Sequence, residues 1–241
     1  MVDELTSRIE STFWTRERRR DALVITLTLV TGSIDAIGLI RLGGVFTSVM
    51  TGNMVLLGIA VSERSGSIAL HTGVAFVMYI VGSFIGARVA GHAPDHETHV
   101  WPLSVVKALT VELVAIAAFA VWWEFVHASP STDVAYSLLG LNAMALGIQS
   151  SAVLRFGVSG LSTTYLTGTL TQFIAGLTKK AAPMQVRSSF ILLALIVGAA
   201  LGALCAVHAP LAAPVVPLGA LGIVVVGAWI SFHRRFDAPN S

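Results

Sequence analysis

The chain has 241 residues, 55% hydrophobic and only 12% charged, with a net charge of +2 and a mean hydropathy of +0.80. A soluble domain carries about 25% charged residues, so this composition cannot cover a water-facing surface and describes an integral membrane protein. The basic residues stand at the ends of apolar segments and form no patch, so they report topology; the partner they imply is the lipid bilayer, not nucleic acid.

Residues 1–20 are polar and end in Arg16-Glu17-Arg18-Arg19-Arg20, which reads as a cytoplasmic N-terminal segment. The apolar run that follows is long for a signal core and has no small-residue cleavage site after it, so it is predicted to be an uncleaved first span. Segment A runs from about Ala22 to Ile40 and segment B from about Leu42 to Val61, with a polar loop at Ser62–Ser67. Segment C covers about Leu70 to Ala90 and segment D about Leu103 to Trp123, completing a first transmembrane repeat over 21–123. A linker at 124–133 contains Pro130. A second transmembrane repeat over 134–232 holds segment E (about Val134 to Leu154), F (Gly160 to Leu177), G (Ser188 to Val207) and H (Leu211 to Phe232). Residues 233–241 read as a cytoplasmic tail.

The two halves match at an offset of 116. Ile80-Val81-Gly82 pairs with Ile196-Val197-Gly198, Gly86-Ala87 with Gly202-Ala203, Ala90 with Ala206, and His92-Ala93-Pro94 with His208-Ala209-Pro210, nine identities over fifteen positions. The same offset pairs Gly44 with Gly160, Thr47 with Thr163, and Thr51-Gly52 with Thr167-Gly168. Segments B and F each carry glycine and hydroxyl groups where a spanning helix should be uniformly apolar. Backbone N–H and C=O groups in lipid must be paired within the protein, so these are predicted helix breaks lining a buried site.

Topology turns on those breaks. If B and F re-enter, the fold is all-α with 3+3 transmembrane helices in inverted repeats, each with a re-entrant or broken helix. Arg41 and Arg64 are then the outer basic residues, 13 of 15 lying inside. If B and F cross, there are 4+4 helices in parallel repeats, with 11 basic residues inside and 4 outside. Both satisfy the positive-inside rule. The first satisfies it better and is the reading adopted, with both termini cytoplasmic.

Gly32-Ser33-Ile34-Asp35-Ala36, then Gly43-Gly44-Val45-Phe46, Thr51-Gly52-Asn53 and Gly147-Ile148-Gln149 together resemble the YoaK-like family of bacterial inner-membrane proteins, a domain of unknown function. The resemblance covers about residues 20 to 235. It implies a multi-pass inner-membrane protein and no particular substrate. One departure is Met50, where the family typically carries Asn or Gln.

Several residues are candidates for chemistry. Asp35 is an intramembrane carboxylate, costly by about 2.5–3.5 kcal/mol on insertion scales. It is suited to ion or proton coupling, or to pairing with Arg41 or capping the break in segment B. Thr51, Gly52 and Asn53, and Thr167, Gly168 and Thr169, stand where half-helices are expected to start, able to cap N–H groups or to contact a solute or ion. Glu112 is a second coupling candidate. Asn142, Gln149, Ser150 and Ser151 form a polar stripe in which Gln149 and Ser150 occupy the region corresponding to Asp35. Gly82, Gly86, Gly198 and Gly202 have the small-residue spacing of close helix packing, between repeats or between protomers of a homo-oligomer. His92, His96 and His99 with Asp95 and Glu97 fall in an interfacial loop, and no metal site or cofactor is expected. Cys205 is a single thiol in an apolar run. Nucleotide-loop, nucleophile-elbow and zinc-protease motifs are absent from the sequence, so no enzyme is expected. The residues point to a permease for a small solute or ion with its site at the paired breaks. The alternatives are a membrane scaffold or sensor, and an intramembrane enzyme.

Overall fold

The computed structural model describes residues 2–91, 102–155, 166–178 and 182–233, with side chains for 18–91, 102–155, 166–176 and 186–230. The described chain is helical: α1 (Val2–Arg41), α2 (Met50–Glu63), α3 (Gly66–Ala90), α4 (Leu103–Phe125), α5 (Thr132–Leu154), α6 (Leu166–Thr178), α7 (Ala182–His208) and α8 (Val215–His233), with a 3₁₀ turn at Pro210–Ala212. Among the described residues, six helical stretches are long and apolar enough to cross a membrane: Arg18–Arg41, Gly66–Ala90, Leu103–Phe125, Thr132–Leu154, Val186–His208 and Pro210–Ile230. α2, at 14 residues, rises only about 20 Å, short of the roughly 30 Å hydrocarbon core. Segment B is therefore not one helix. Its first eight residues, 42–49, are coil. The histidine-bearing loop at 92–101 lies outside the described residues, as does the part of segment F before Leu166.

Lipid tails give helices no hydrophobic reason to associate, so packing depends on close backbone approach. Two helix pairs achieve it. α3 crosses α5 and α7 crosses α1. A Cβ on Gly82 would strike the Met144 carbonyl, and one on Gly86 the Ile148 carbonyl 2.6 Å away. On the other pair, Gly198 lies against the backbone of Leu29, and Gly202 would place a Cβ 2.5 Å from the Ser33 carbonyl. Gly147 and Gly32 return the approach from the opposite helices, against Tyr79 and Leu195. All four glycines of the predicted packing faces are thus occupied inside the chain.

Four helices close a ring: α1 packs on α8, α8 on α4, α4 on α5, and α5 on α1. The largest core cluster fills it, drawing Leu27 and Ile34 from α1, Leu109 and Ile116 from α4, Leu146 and Ile148 from α5, and Leu221 and Val224 from α8. A second cluster, with Ile37, Leu42, Phe119 and Trp123, closes one end. There the Trp123 indole N–H donates to the Pro210 carbonyl at 2.8 Å, and Arg41 donates to the Ala128 carbonyl at 2.9 Å. Large apolar side chains such as Phe84, Ile196 and Ile223 remain exposed, as a lipid-facing surface requires.

Among the described residues between 92 and 208, three helices, α4, α5 and α7, are long and apolar enough to cross. Cysteines placed at His92 and at His208 (with Cys205→Ala) are expected to react with a membrane-impermeant maleimide from opposite faces of sealed vesicles. Labelling from one face would contradict six crossings.

Candidate functional site

The break after α1 is built from sequence upward. α1 ends with the Leu42 N–H on the Gly38 carbonyl at 3.0 Å. Gly43 and Gly44 then take φ values of +105° and +75°, a region that side chains with Cβ rarely enter. Gly43 is doubly constrained, since a Cβ there would collide with the His71 ring of α3. That ring is held by the Ser67 carbonyl at 2.8 Å and by Tyr136, with centroids 4.3 Å apart.

The reversed coil runs back alongside α1 and is fastened at two points. Asp35 is the first. Its Oδ1 accepts from the Thr47 N–H, the Thr47 hydroxyl and the Ser48 N–H, each at 2.8 Å, and its Oδ2 accepts from the Ser48 hydroxyl. Asn53 is the second. Its Oδ1 accepts from the Phe46 N–H at 3.1 Å and its Nδ2 donates to the Phe46 carbonyl at 2.6 Å. Arg41 bonds Ala128 and not Asp35, so the pairing offered by the sequence is not made, and the carboxylate instead fastens the break. The α2 N-cap is Val49, with no side-chain cap, and the helix starts at Met50, three residues before Asn53. Asn53 therefore acts on the coil and not as a helix cap. Thr51 is exposed, and Gly52 sits against Val49 and Phe46.

Beside this coil lies a cavity of about 530 Å³, lined on one side by Asp35, Phe46 and Ser48 and on the other by Thr167, Leu195 and Ala199. Its volume falls in the range of small-molecule sites, about 300–1,000 Å³. The lining is mainly apolar, with polar groups from Asp35 and Ser48 on one side and from Thr167 on the other. Thr167 and Asp35 come from different halves of the chain, and the cavity brings them together. Gly168 is exposed and Thr169 is buried.

The remaining candidates lie elsewhere. Gln149 donates to the Thr31 hydroxyl at 2.8 Å and to the Leu27 carbonyl at 3.3 Å. Ser150 accepts from the Tyr79 hydroxyl at 2.8 Å, and Ser151 donates to the Ser83 carbonyl at 2.7 Å. Glu112 is fully buried on α4 between Leu109 and Ile116. Among the described residues no cluster of His, Cys, Asp and Glu could hold a metal ion. Phe46 and Ser48 were not singled out by sequence reasoning. Their only signal was membership of the Gly-Gly-x-Phe-Thr-Ser run, which carries no hint that Ser48 bonds Asp35 thirteen residues upstream or that Phe46 bonds Asn53 seven residues downstream.

The helices and the buried polar break define a multi-pass transmembrane protein. The chain belongs to the DUF1275 family, described as a protein of unknown function, which it matches over residues 23–227. It is 36% identical over 155 residues to the UPF0700 transmembrane protein YoaK of Bacillus subtilis (strain 168). That match covers 64% of this chain and 66% of the relative, just under two thirds of its length. No solved structure matches the chain.

Replacing Asp35 with Asn substitutes an N–H₂ for one acceptor and leaves coil donors without a partner, at a cost of about 1–3 kcal/mol per orphaned group. Thermal unfolding in detergent is expected to show Asp35→Asn destabilised by about 2–4 kcal/mol. Asn53→Asp keeps the acceptor but turns an oxygen toward the Phe46 carbonyl, so it should be less stable than Asn53→Ala. Equal stability of Asn53→Asp and wild type would contradict the assigned hydrogen bonds.

Proposed function

We propose that the protein is a permease of the bacterial inner membrane for a small solute, with its site in the cavity between the two helix breaks. The carrying observation is that this cavity joins Asp35 and Ser48 of one half to Thr167 of the other. Transporters built from repeats place substrate at the repeat interface, beside discontinuous helices.

The reading includes two homologous halves in inverted orientation, with α2 and α6 as re-entrant half-helices and both termini cytoplasmic. The packing supports it. Exchanging the halves converts α1 on α7 into α5 on α3, α4 on α5 into α8 on α1, and α2 on α3 into α6 on α7, and all six pairs occur. The crossing glycines support it also. Gly82 and Gly198 differ by 116, while their contacts Met144 and Leu29, and the answering Gly147 and Gly32, differ by 115. On that register the counterpart of Asp35 is Ser150, one residue nearer than the sequence offset places it.

The apolar lining favours a solute with an apolar body. The carboxylate already holds four donors, so a solute group reaching it must itself be a donor or a cation and must displace Ser48 or Thr47. The scaffold alternative drew on free glycine faces; Gly82, Gly86, Gly198 and Gly202 are engaged within the chain, which favours the permease.

In proteoliposomes screened with small radiolabelled amines, alcohols and amides, Ala199→Phe fills the cavity without touching the Asp35 network. It is expected to cut uptake by at least about tenfold, an effect of about 1.4 kcal/mol, while thermal stability stays near wild type. Uptake that survives both Ala199→Phe and Asp35→Asn would remove the cavity from the pathway.

A further inference from the structure

Inside the four-helix ring stand three polar side chains that the break and its cavity do not use. Glu112, Asn142 and Gln149 are each fully buried. Both oxygens of Glu112, both polar atoms of Asn142, and Oε1 of Gln149 have no hydrogen-bond partner. Buried polar side chains are overwhelmingly paired, and an orphaned group costs about 1–3 kcal/mol, more when charged. Five orphaned atoms on three side chains need a shared explanation.

They share a location. Asn142 and Gln149 are seven residues apart on α5 and so lie on one face of the helix. α4 packs antiparallel on α5 across a short turn. At 1.5 Å per residue from that turn, Glu112 stands about 20 Å along α4, between Asn142 at about 15 Å and Gln149 at about 26 Å. Their neighbours Leu109, Ile116, Ala145, Leu146 and Ile148 all belong to the ring's core cluster. The ring does not need these polar groups for packing. At the matching positions of the other half it carries Ala228, Leu27 and Ile34, all fully buried.

The orphaned set is unbalanced: four oxygens, on Glu112, Asn142 and Gln149, against one nitrogen, on Asn142. An excess of acceptors around one carboxylate calls for positive charge. Hard cations take oxygen ligands, and divalent sites draw on several carboxylates; here there is one. Gln149 is oriented for this role, because its N–H₂ is committed to Thr31 and Leu27 of α1 and its oxygen is turned away from them. We infer that Glu112, Asn142 and Gln149 form a buried site for a single alkali cation of sodium class. The site is separate from the Asp35 cavity, and its occupancy can be measured whether or not a solute crosses.

The test is thermal unfolding of the full-length protein in detergent, followed by tryptophan fluorescence, in NaCl, KCl, CsCl or choline chloride at constant ionic strength and pH. Ligand that binds only the folded state stabilises it by mass action. Saturating NaCl is expected to raise Tm by about 4 °C over choline, with CsCl inert. Glu112→Gln should abolish the shift. Asn142→Leu should weaken half-saturation by at least about tenfold while leaving Tm in choline unchanged or higher, because replacing an unpaired buried amide with a matched apolar group is neutral or favourable. If Glu112→Gln does not fold, the wild-type salt series and Asn142→Leu decide. Identical Tm in all four salts would overturn the inference. So would sodium shifts retained in both variants, or a response to pH alone that Glu112→Gln removes, which would assign a proton to the site.

Discussion

The fold depends on how a chain reverses inside a medium that offers no hydrogen bonds. After α1 the backbone leaves helical geometry at Gly43 and Gly44, and the N–H groups of Phe46, Thr47 and Ser48 lose the partners a helix would supply. Water would satisfy them at a soluble surface. Here Asp35 takes two of these N–H groups and two hydroxyls, and Asn53 takes the third along with the Phe46 carbonyl. Satisfying every backbone group is the strictest constraint on membrane structure, and these two side chains meet it for the N–H groups of Phe46, Thr47 and Ser48. Because Asp35 is on α1 and Asn53 on α2, the same bonds fix the position of α2 and shape one wall of the cavity.

Close backbone approach is the second constraint. Gly32, Gly198 and Gly202 bring α1 and α7 together, and Gly82, Gly86 and Gly147 bring α3 and α5 together. With those pairs locked, α4 and α8 complete a ring whose interior is dense with Leu, Ile, Val and Ala. On the proposed duplication the two halves differ in chemistry: Asp35 would answer to Ser150 and Glu112 to Ala228, so that both carboxylates stand in the first half.

Much of this was legible in the chain. The ends of segments C, D, E and H fell within about four residues of the helix ends because hydropathy and proline positions report length, whereas α1 begins at Val2, twenty residues ahead of segment A, because a helix can continue into polar sequence that hydropathy does not mark. The helix break at 43–49 was visible as polar residues in an apolar run, and the crossing glycines by their spacing. The partners of Asp35 were not visible. A carboxylate that bonds residues twelve and thirteen positions on does so only after a reversal, which no helical or strand periodicity encodes. The grouping of Gln149 and Ser150 with the break also failed to appear as one location. On α5 these neighbours point to different helices, Gln149 to α1 and Ser150 to α3, because successive residues of a helix project about 100° apart. The crossing residues of α1 and α5 lie 115 apart in sequence and the glycines of α3 and α7 lie 116 apart, a difference of one residue that no single offset carries.

The two carboxylates therefore have opposite standing. Asp35 is saturated: four donors from the coil surround it, and any ligand that engages it must release part of the coil. Binding there and order of residues 45–48 are then linked, since a ligand shifts an equilibrium only by its differential affinity for the two states. A solute that displaced Ser48 would loosen the segment that leads into α2, which is what a gate requires. Glu112 is the reverse. It is fully buried with no donor on either oxygen, at a level along α4 between those of Asn142 and Gln149 on α5. A group so placed has little structural work to lose, and its chemistry is open to whatever positive charge reaches the ring. On the proposed permease reading, conformational coupling would thus reside in the carboxylate that is bound to the backbone, and charge coupling in the one that is not.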